Sequence, residues 1–230
     1  MYTVCMRRRC LLLELFSGTH SVGNVARELG WKVVSVDIAG RATIHADVLK
    51  LNYKTLETPD MIWASPPCTT YSIAATWYKH RDPQTATPFT EQAKHADQIL
   101  RRTMQIIRYF NKLNPALCFC VENPRGYMRR SPIMRDIHRV TTLYSNYGFP
   151  IAKPTDFFCN FDLKLHPPRI DSPSGITVGR GKGWREKLRN ATGHSRSQAE
   201  LLGVIPPSLV KTILLQASCK INHFHHCLKM

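Results

Sequence analysis

Four short apolar runs organise this chain, and each one stops in a loop of small, proline or polar residues. "CLLLELF" (10–16) runs into "SGTHSVG", "WKVVSVD" (31–37) ends at Asp37, "DMIWA" (60–64) meets Ser65, Pro66 and Pro67, and "ALCFCVENP" (116–124) enters another proline-bounded turn. Runs this short and this rich in Ile, Val and Leu predict strands buried on both faces. Between them, "VARELG" offers a helical turn ending at Gly30. Thr90 to Leu113 carries Ile99, Met104, Ile107 and Phe110 at helical spacing on one side. Strands alternating with helices predict a mostly parallel α/β sheet with helices on both faces. Ligands of such sheets bind beyond the carboxyl ends of the strands, and the loops starting at Phe16, Asp37, Ser65 and Glu122 all leave those ends.

The rest of the chain is less regular. Ser131 to about Ser145 is predicted helical, and "KPTDFFCNF" (153–161) fits a further strand. From 163 to 198, Gly, Pro, Ser, Arg and Lys dominate without apolar periodicity, which predicts a loop-like segment. "QAELLGVIPPSLVKTILLQA" restores helical periodicity around a Pro-Pro interruption, so 199–218 is expected to pack back on the main domain as a helical segment. Residues 219–230 are expected to form a loose tail. Cys219, His223, His225, His226 and Cys227 lie there, but at no standard structural-zinc spacing, and no metal is expected. Cys118 and Cys120 share a strand face by the period of two and are expected to be buried apolar thiols.

Lys and Arg number 32 against 16 acidic residues, a formal charge of +16. A balance so far from zero predicts a polyanionic partner, nucleic acid ahead of anionic membranes or acidic proteins. The eight cysteines form no CxxC pair. Glu14 interrupts the early apolar stretch, which excludes a signal-peptide reading. Both features predict reduced thiols in an intracellular compartment. No uncharged apolar run is long enough to predict a membrane span.

"LELFSGTHSVG" has the positions of a nucleotide-cofactor loop, where small residues let backbone N–H groups approach a ligand, although a tight connection would read the same way. Asp37, placed to accept hydrogen bonds from ribose hydroxyls, favours an adenosyl cofactor. With "FSG", "SPPC" and "ENP" in that order, the chain resembles the cytosine-C5 DNA methyltransferases, most nearly the short forms of large DNA viruses and bacteriophages. The likeness covers roughly residues 10–162 and a C-terminal helix. It implies a Rossmann-like S-adenosylmethionine-dependent methyltransferase fold, with residues 1–162 as the cofactor-binding catalytic domain and 163–198 as a reduced, basic target-recognition segment. It further implies S-adenosyl-L-methionine as methyl donor and DNA as partner, with the target cytosine turned out of the duplex. A monomer is expected, in the host nucleus or cytoplasm if the source is viral.

The resemblance gives the site residues their roles. Cys68 follows a stiff Pro-Pro step and is the expected nucleophile, adding as thiolate to C6 so that C5 becomes carbanion-like. A free thiol titrates near about 8.5, so neighbouring positive charge is expected to favour the thiolate. Glu122 is expected at N3 of the base, where it is useful only if it holds a proton or shares one with the ring. Asn123 is expected to hold the Pro-Cys loop by hydrogen bonds. Around the cofactor the resemblance implies Phe16, Gly18 and Gly23 in the loop, Asp37 on the ribose, Asp47 near the adenine amine and Pro66 at the pocket border.

Two features depart from the family pattern. His20 stands where many relatives carry glycine, and it is expected to point to solvent from a backbone with φ below zero. The arginine that usually reaches the base is replaced, with Ile151 and Lys153 at the comparable places; Lys153 keeps the charge but loses the bidentate fork, and a solvated surface lysine is the alternative. Arg125, Arg129 and Arg130 fit either phosphate contacts or an exposed helix start. These departures leave a catalytically weak DNA-binding protein as a rival, and an RNA cytosine remains an alternative substrate. The short segment 163–198, with Trp184 among its basic residues, predicts a target read over a short context. Mapping of methylated sites is expected to show that context; a long, strictly read target would contradict it.

Overall fold

The computed structural model describes residues 9–73, 80–168, 186 and 203–227. The four apolar runs become β1 (Leu11–Leu15), β2 (Lys32–Asp37), β4 (Met61–Ala64) and β5 (Cys118–Pro124), which with the short β3 (Ile44–His45) make the parallel part of a seven-stranded sheet. Two further strands, β6 (Arg139–Leu143) and β7 (Pro154–Cys159), complete the order β3-β2-β1-β4-β5-β7-β6. The β1–β2, β2–β3, β1–β4 and β4–β5 pairings are parallel, while β7 runs antiparallel between β5 and β6. The expected α/β class is borne out: this is a Rossmann-like, mostly parallel sheet.

Helices cover both faces. On one side lie α1 (Ser21–Glu28) and α3 (Pro207–Cys227), whose Val22, Val25, Ile213, Leu214, Ala217 and Ile221 pack with Leu12, Trp63, Cys118, Cys120 and Phe157 of the sheet. On the other lies α2 (Glu91–Leu113), whose Leu100, Met104, Ile107 and Phe110 pack with Leu13, Ile62, Val121 and Phe158. Successive strand residues thus point into opposite cores, as the pleat requires. Thr90 caps α2 by accepting the Ala93 N–H at 3.2 Å. Cys118 and Cys120 are buried apolar residues of the first core. Among the described residues no helix is long and apolar enough to cross a membrane.

Three expectations need correction. Residues 131–145 are not a helix: turns lead into β6, whose β-branched Val140, Thr141 and Thr142 suit the pleat and pair antiparallel with β7. Strand β3 has only two residues, too short to show a period, and was not foreseen. The final helix does not give way to a tail after residue 218. It runs to Cys227, because Ile221 continues the buried stripe of Ile213, Leu214 and Ala217. Pro207 opens it, a position where the missing N–H costs nothing. Of the segment 163–198, Leu163 is buried and the backbone of Lys164 exchanges hydrogen bonds with the Gln216 side chain, both at 2.8 Å. Residues 169–185 and 187–198, with Trp184, lie outside the described residues.

Ile213 has no exposed surface. Ile213→Ala is expected to cost about 2–5 kcal/mol through the cavity it leaves, read as a lower urea midpoint at an unchanged slope.

Candidate active site

The loop after β1 is held by backbone contacts to β2. Phe16 takes φ 61° and donates its N–H to Val36 O at 2.8 Å. Asp37 closes the loop, one carboxylate oxygen accepting the Gly18 N–H at 2.9 Å and the other the Ala39 N–H at 3.0 Å. Each oxygen keeps acceptor capacity for a hydroxyl. Asp47 accepts the Leu49 N–H in a tight turn after β3.

His20 does not behave as expected. It sits at the N-cap of α1 with φ 57°, the left-handed region that suits glycine, and its side chain is only 16% exposed. The quick turn from β1 into α1 imposes the backbone; the imidazole then folds inward, Nδ1 lying 4.0 Å from Glu14 Oε2. Glu14 is the lone charged residue of the central strand and is 2% exposed. Its Oε1 accepts the Gly23 N–H at 3.1 Å. Burial pushes its carboxyl up to about 7, against the pull of the Gly23 N–H and the Arg27 charge. Burial likewise pulls His20 below its ordinary value, and Arg27 acts in the same sense. Glu14 Oε2, Ser17 Oγ and both ring nitrogens of His20 are buried without a hydrogen-bond partner.

The loop after β4 is fixed with equal care. The Cys68 carbonyl accepts the N–H groups of Tyr71 (2.9 Å) and Ser72 (2.8 Å), which curls the chain into a turn with the cysteine at its start. Asn123 Nδ2 donates to Pro66 O at 3.0 Å, tying this loop to the end of β5. Tyr71 O accepts the Tyr127 N–H at 2.7 Å, and Ser72 bridges Gly126. A Cβ on Gly126 would stand 2.1 Å from Tyr71 O, so only glycine lets the two loops touch.

Glu122, 6% exposed, accepts the Tyr144 hydroxyl at 3.1 Å. Lys153, 8% exposed, holds its ammonium 4.5 Å from the centre of the Tyr144 ring, a cation–π contact. It is therefore not a solvated surface lysine. The Cys68 thiol feels both neighbours: burial and then the Glu122 charge push it up, while the Lys153 charge and its own backbone N–H pull it down. The net direction is upward. Positive charge is present, as expected, but burial outweighs it.

One cleft of about 1280 Å³ brings together Phe16, Gly18, Asp37, Asp47, Pro66, Cys68, Glu122 and Lys153. Asn123 lies behind its wall. Gly23 does not line it; a Cβ there would stand 2.5 Å from Glu14 Oε2, so the glycine serves the packing of α1 against β1. Glu14, Ser17 and His20 do line the cleft and were not foreseen as site residues. The available signal was an acidic residue inside an otherwise apolar central strand. Tyr144 was missed as well, and nothing in the sequence marks it. Arg125 faces the cleft, Arg130 donates to Pro83 O, and Arg129, within the 3-10 turn Tyr127–Arg130, pairs its guanidinium with buried Asp156. Among the described residues no group of three or more His, Cys, Asp and Glu is placed to hold a metal ion.

A Rossmann-like sheet whose strand ends carry a loop cysteine, a buried glutamate and a glycine turn has the make-up implied by the resemblance to cytosine-C5 methyltransferases. The particular relative is viral. The chain is 36% identical over 145 residues to a probable DNA (cytosine-5)-methyltransferase of Frog virus 3 (isolate Goorha), covering 60% of this chain and 65% of that protein. The resemblance read from the three motifs is thereby borne out, although the chain spans only about 65% of the length of the curated relative it matches. No family model matches the chain. Among solved structures it overlaps the Entamoeba histolytica methyltransferase EhMeth at TM-score 0.47 and 13% identity, covering 71% of this chain and 58% of that one. It overlaps the S. pombe Dnmt2 methyltransferase at TM-score 0.47 and 15% identity, covering 83% and 63%. Overlaps this loose decide nothing about activity.

Glu14 generates a pH prediction. Its folded value of about 7 lies above the unfolded 4.5, so the folded state binds the extra proton between them and stability falls as pH rises through that window. The loss amounts to roughly 3 kcal/mol. Glu14→Gln, which keeps the acceptor for Gly23, is expected to flatten that fall when melting is followed from pH 5 to 8.

Proposed function

We propose that the chain transfers a methyl group from S-adenosyl-L-methionine to C5 of a cytosine in DNA, through a transient bond between Cys68 Sγ and C6 of the base. The observation that carries this reading is that Cys68, Glu122 and Lys153 share one cleft with the glycine loop, Asp37 and Asp47. The net charge of +16 supports a polyanionic substrate, and DNA is the substrate named for the viral relative.

The cleft wall fits the cofactor. Buried, unpartnered Glu14 Oε2, Ser17 Oγ and His20 ring nitrogens suit a ligand with a charged amino-acid end. Asp37 would accept from ribose hydroxyls and Asp47 from the adenine amine, with Phe16, Gly18 and Pro66 as neighbouring walls. When bound, the cofactor supplies an electrophilic methyl group on a sulfonium.

The residues then act in sequence. In the free cleft, burial and the Glu122 charge keep Cys68 protonated. As the base seats, the proton released by Cys68 is taken up between the Glu122 carboxylate and N3 of the cytosine; this neutralises the Glu122 charge and leaves the Lys153 ammonium as the dominant neighbour of the thiolate. Cys68 adds to C6, and the electron density moved onto N3 is met by the Glu122 proton. The Tyr144 hydroxyl orients Glu122. After C5 accepts the methyl group, a water takes the C5 proton, its electron pair forms the C5–C6 double bond as the C6–S bond breaks to return the Cys68 thiolate, and the N3 proton goes back to Glu122. Asn123 holds the Pro66 carbonyl throughout.

DNA carrying 5-fluorocytosine tests the reading, because the missing C5 hydrogen blocks release of the enzyme. A denaturation-resistant adduct is expected with cofactor present, absent in Cys68→Ala and formed about 100-fold more slowly in Glu122→Gln. 5-Methylcytosine should appear by mass spectrometry in unmodified DNA. Cofactor binding with neither product would assign the chain as a DNA-binding module instead, and adduct formation on RNA alone would move the substrate.

A further inference from the structure

Arg81 has no exposed side-chain surface, yet it carries a charge. Its Nε donates to Thr70 O (3.0 Å), Nη1 to Ala86 O (3.2 Å), and Nη2 to Thr70 Oγ1 (3.1 Å) and Ala93 O (2.9 Å). Nη2 also lies 2.8 Å from Asp97 Oδ1 on α2. That same oxygen accepts the Tyr71 hydroxyl at 2.6 Å, and the guanidinium stands over the Tyr71 ring at 3.9 Å from its centre. Thr70 and Tyr71 stand two and three residues after Cys68 in the loop, and the Tyr71 N–H is one of the two that close the Cys68 turn.

Tyr71 is therefore held from two directions. Its side chain and its neighbour Thr70 are gripped by Arg81 and Asp97; its carbonyl is seated on Gly126 and bonded to Tyr127, next to the strand that carries Glu122. Arg81 does not line the cleft and touches neither base nor cofactor there. A buried ion pair is also a weak source of stability, because apolar residues of similar volume often replace it without loss. What such a pair does supply is a single, directional geometry. We infer that Arg81, Asp97 and Tyr71 form a positioning unit that sets where the Cys68 sulfur stands relative to Glu122 and Lys153. The inference rests on the reading of Cys68 as nucleophile but has its own readout.

The test compares wild type with the charge-free double variant Arg81→Met/Asp97→Leu and with Tyr71→Phe. Each is followed by thermal melting, by the rate of 5-fluorocytosine adduct formation at saturating DNA, and by the pH profile of Cys68 alkylation with iodoacetamide, read by peptide mapping. Tyr71→Phe is expected to melt close to wild type, and the double variant lower, because Thr70 O and Ala86 O lose their Arg81 donor. Adduct formation should fall about 10- to 100-fold in the double variant, as a displacement of an ångström costs, and several-fold in Tyr71→Phe, at unchanged half-saturation for DNA and cofactor. The alkylation midpoint should shift down as the released thiol leaves the burial and the Glu122 charge that raise it. A folded variant with wild-type adduct rate and alkylation profile overturns the inference. Should the double variant fail to fold, Tyr71→Phe decides on the same two readouts. Absence of an adduct in wild type itself sinks the nucleophile reading, and the alkylation profile still judges the positioning unit.

Discussion

Strands β1, β4 and β5 are covered by helices on both faces, so their backbone groups find partners only within the sheet and their side chains are almost all apolar. Chemistry is thereby pushed to the strand ends. Because neighbouring strands are parallel, the loops after Leu15, Asp37, Ala64 and Pro124 leave the same edge, and residues far apart in the chain meet in one cleft. Glu14 is the exception within β1 and β4. A carboxyl placed there sits in low dielectric with one oxygen unpartnered, which is why its proton is held up to about 7 and why the cleft wall beside it is primed for a charged ligand.

The thiol and the carboxyl of the proposed reaction are coupled through the same burial. Glu122 raises Cys68 and Lys153 lowers it, and Tyr144 touches both of these neighbours, by a hydrogen bond to one and by its ring face to the other. Nucleophile activation in such a site is a property of the loaded cleft. Lys153 sits there as a buried point charge over the Tyr144 ring, a placement that an ammonium fills without a guanidinium's fork.

Much of this was legible in the chain. Short, nearly continuous apolar runs and the stripe of Met104, Ile107 and Phe110 announced the sheet and its long helix. The Pro66-Pro67 step and the Glu122-Asn123-Pro124 turn marked the loops that meet in the cleft. The misses share a cause. Locally 131–145 reads as a helix, because β6 is stabilised by its partner β7 further along the chain and a strand's pairing is invisible to a local period. His20 was turned outward because a histidine does not reveal that its backbone is left-handed. Gly23 was assigned to the ligand when it serves the close approach of α1 to Glu14.

From the residues alone came the alternation that dictates a parallel sheet, the order of the loop motifs and the excess of positive charge, because periodicity, proline and net charge are local or additive properties. Only the tertiary structure decided that Glu14 and His20 face one another, that Tyr144 links Glu122 to Lys153, and that Arg81 and Asp97 grip the turn behind Cys68. Those arrangements depend on desolvation and on distances between segments brought together by folding, and neither quantity exists until the cores on the two faces of the sheet have closed.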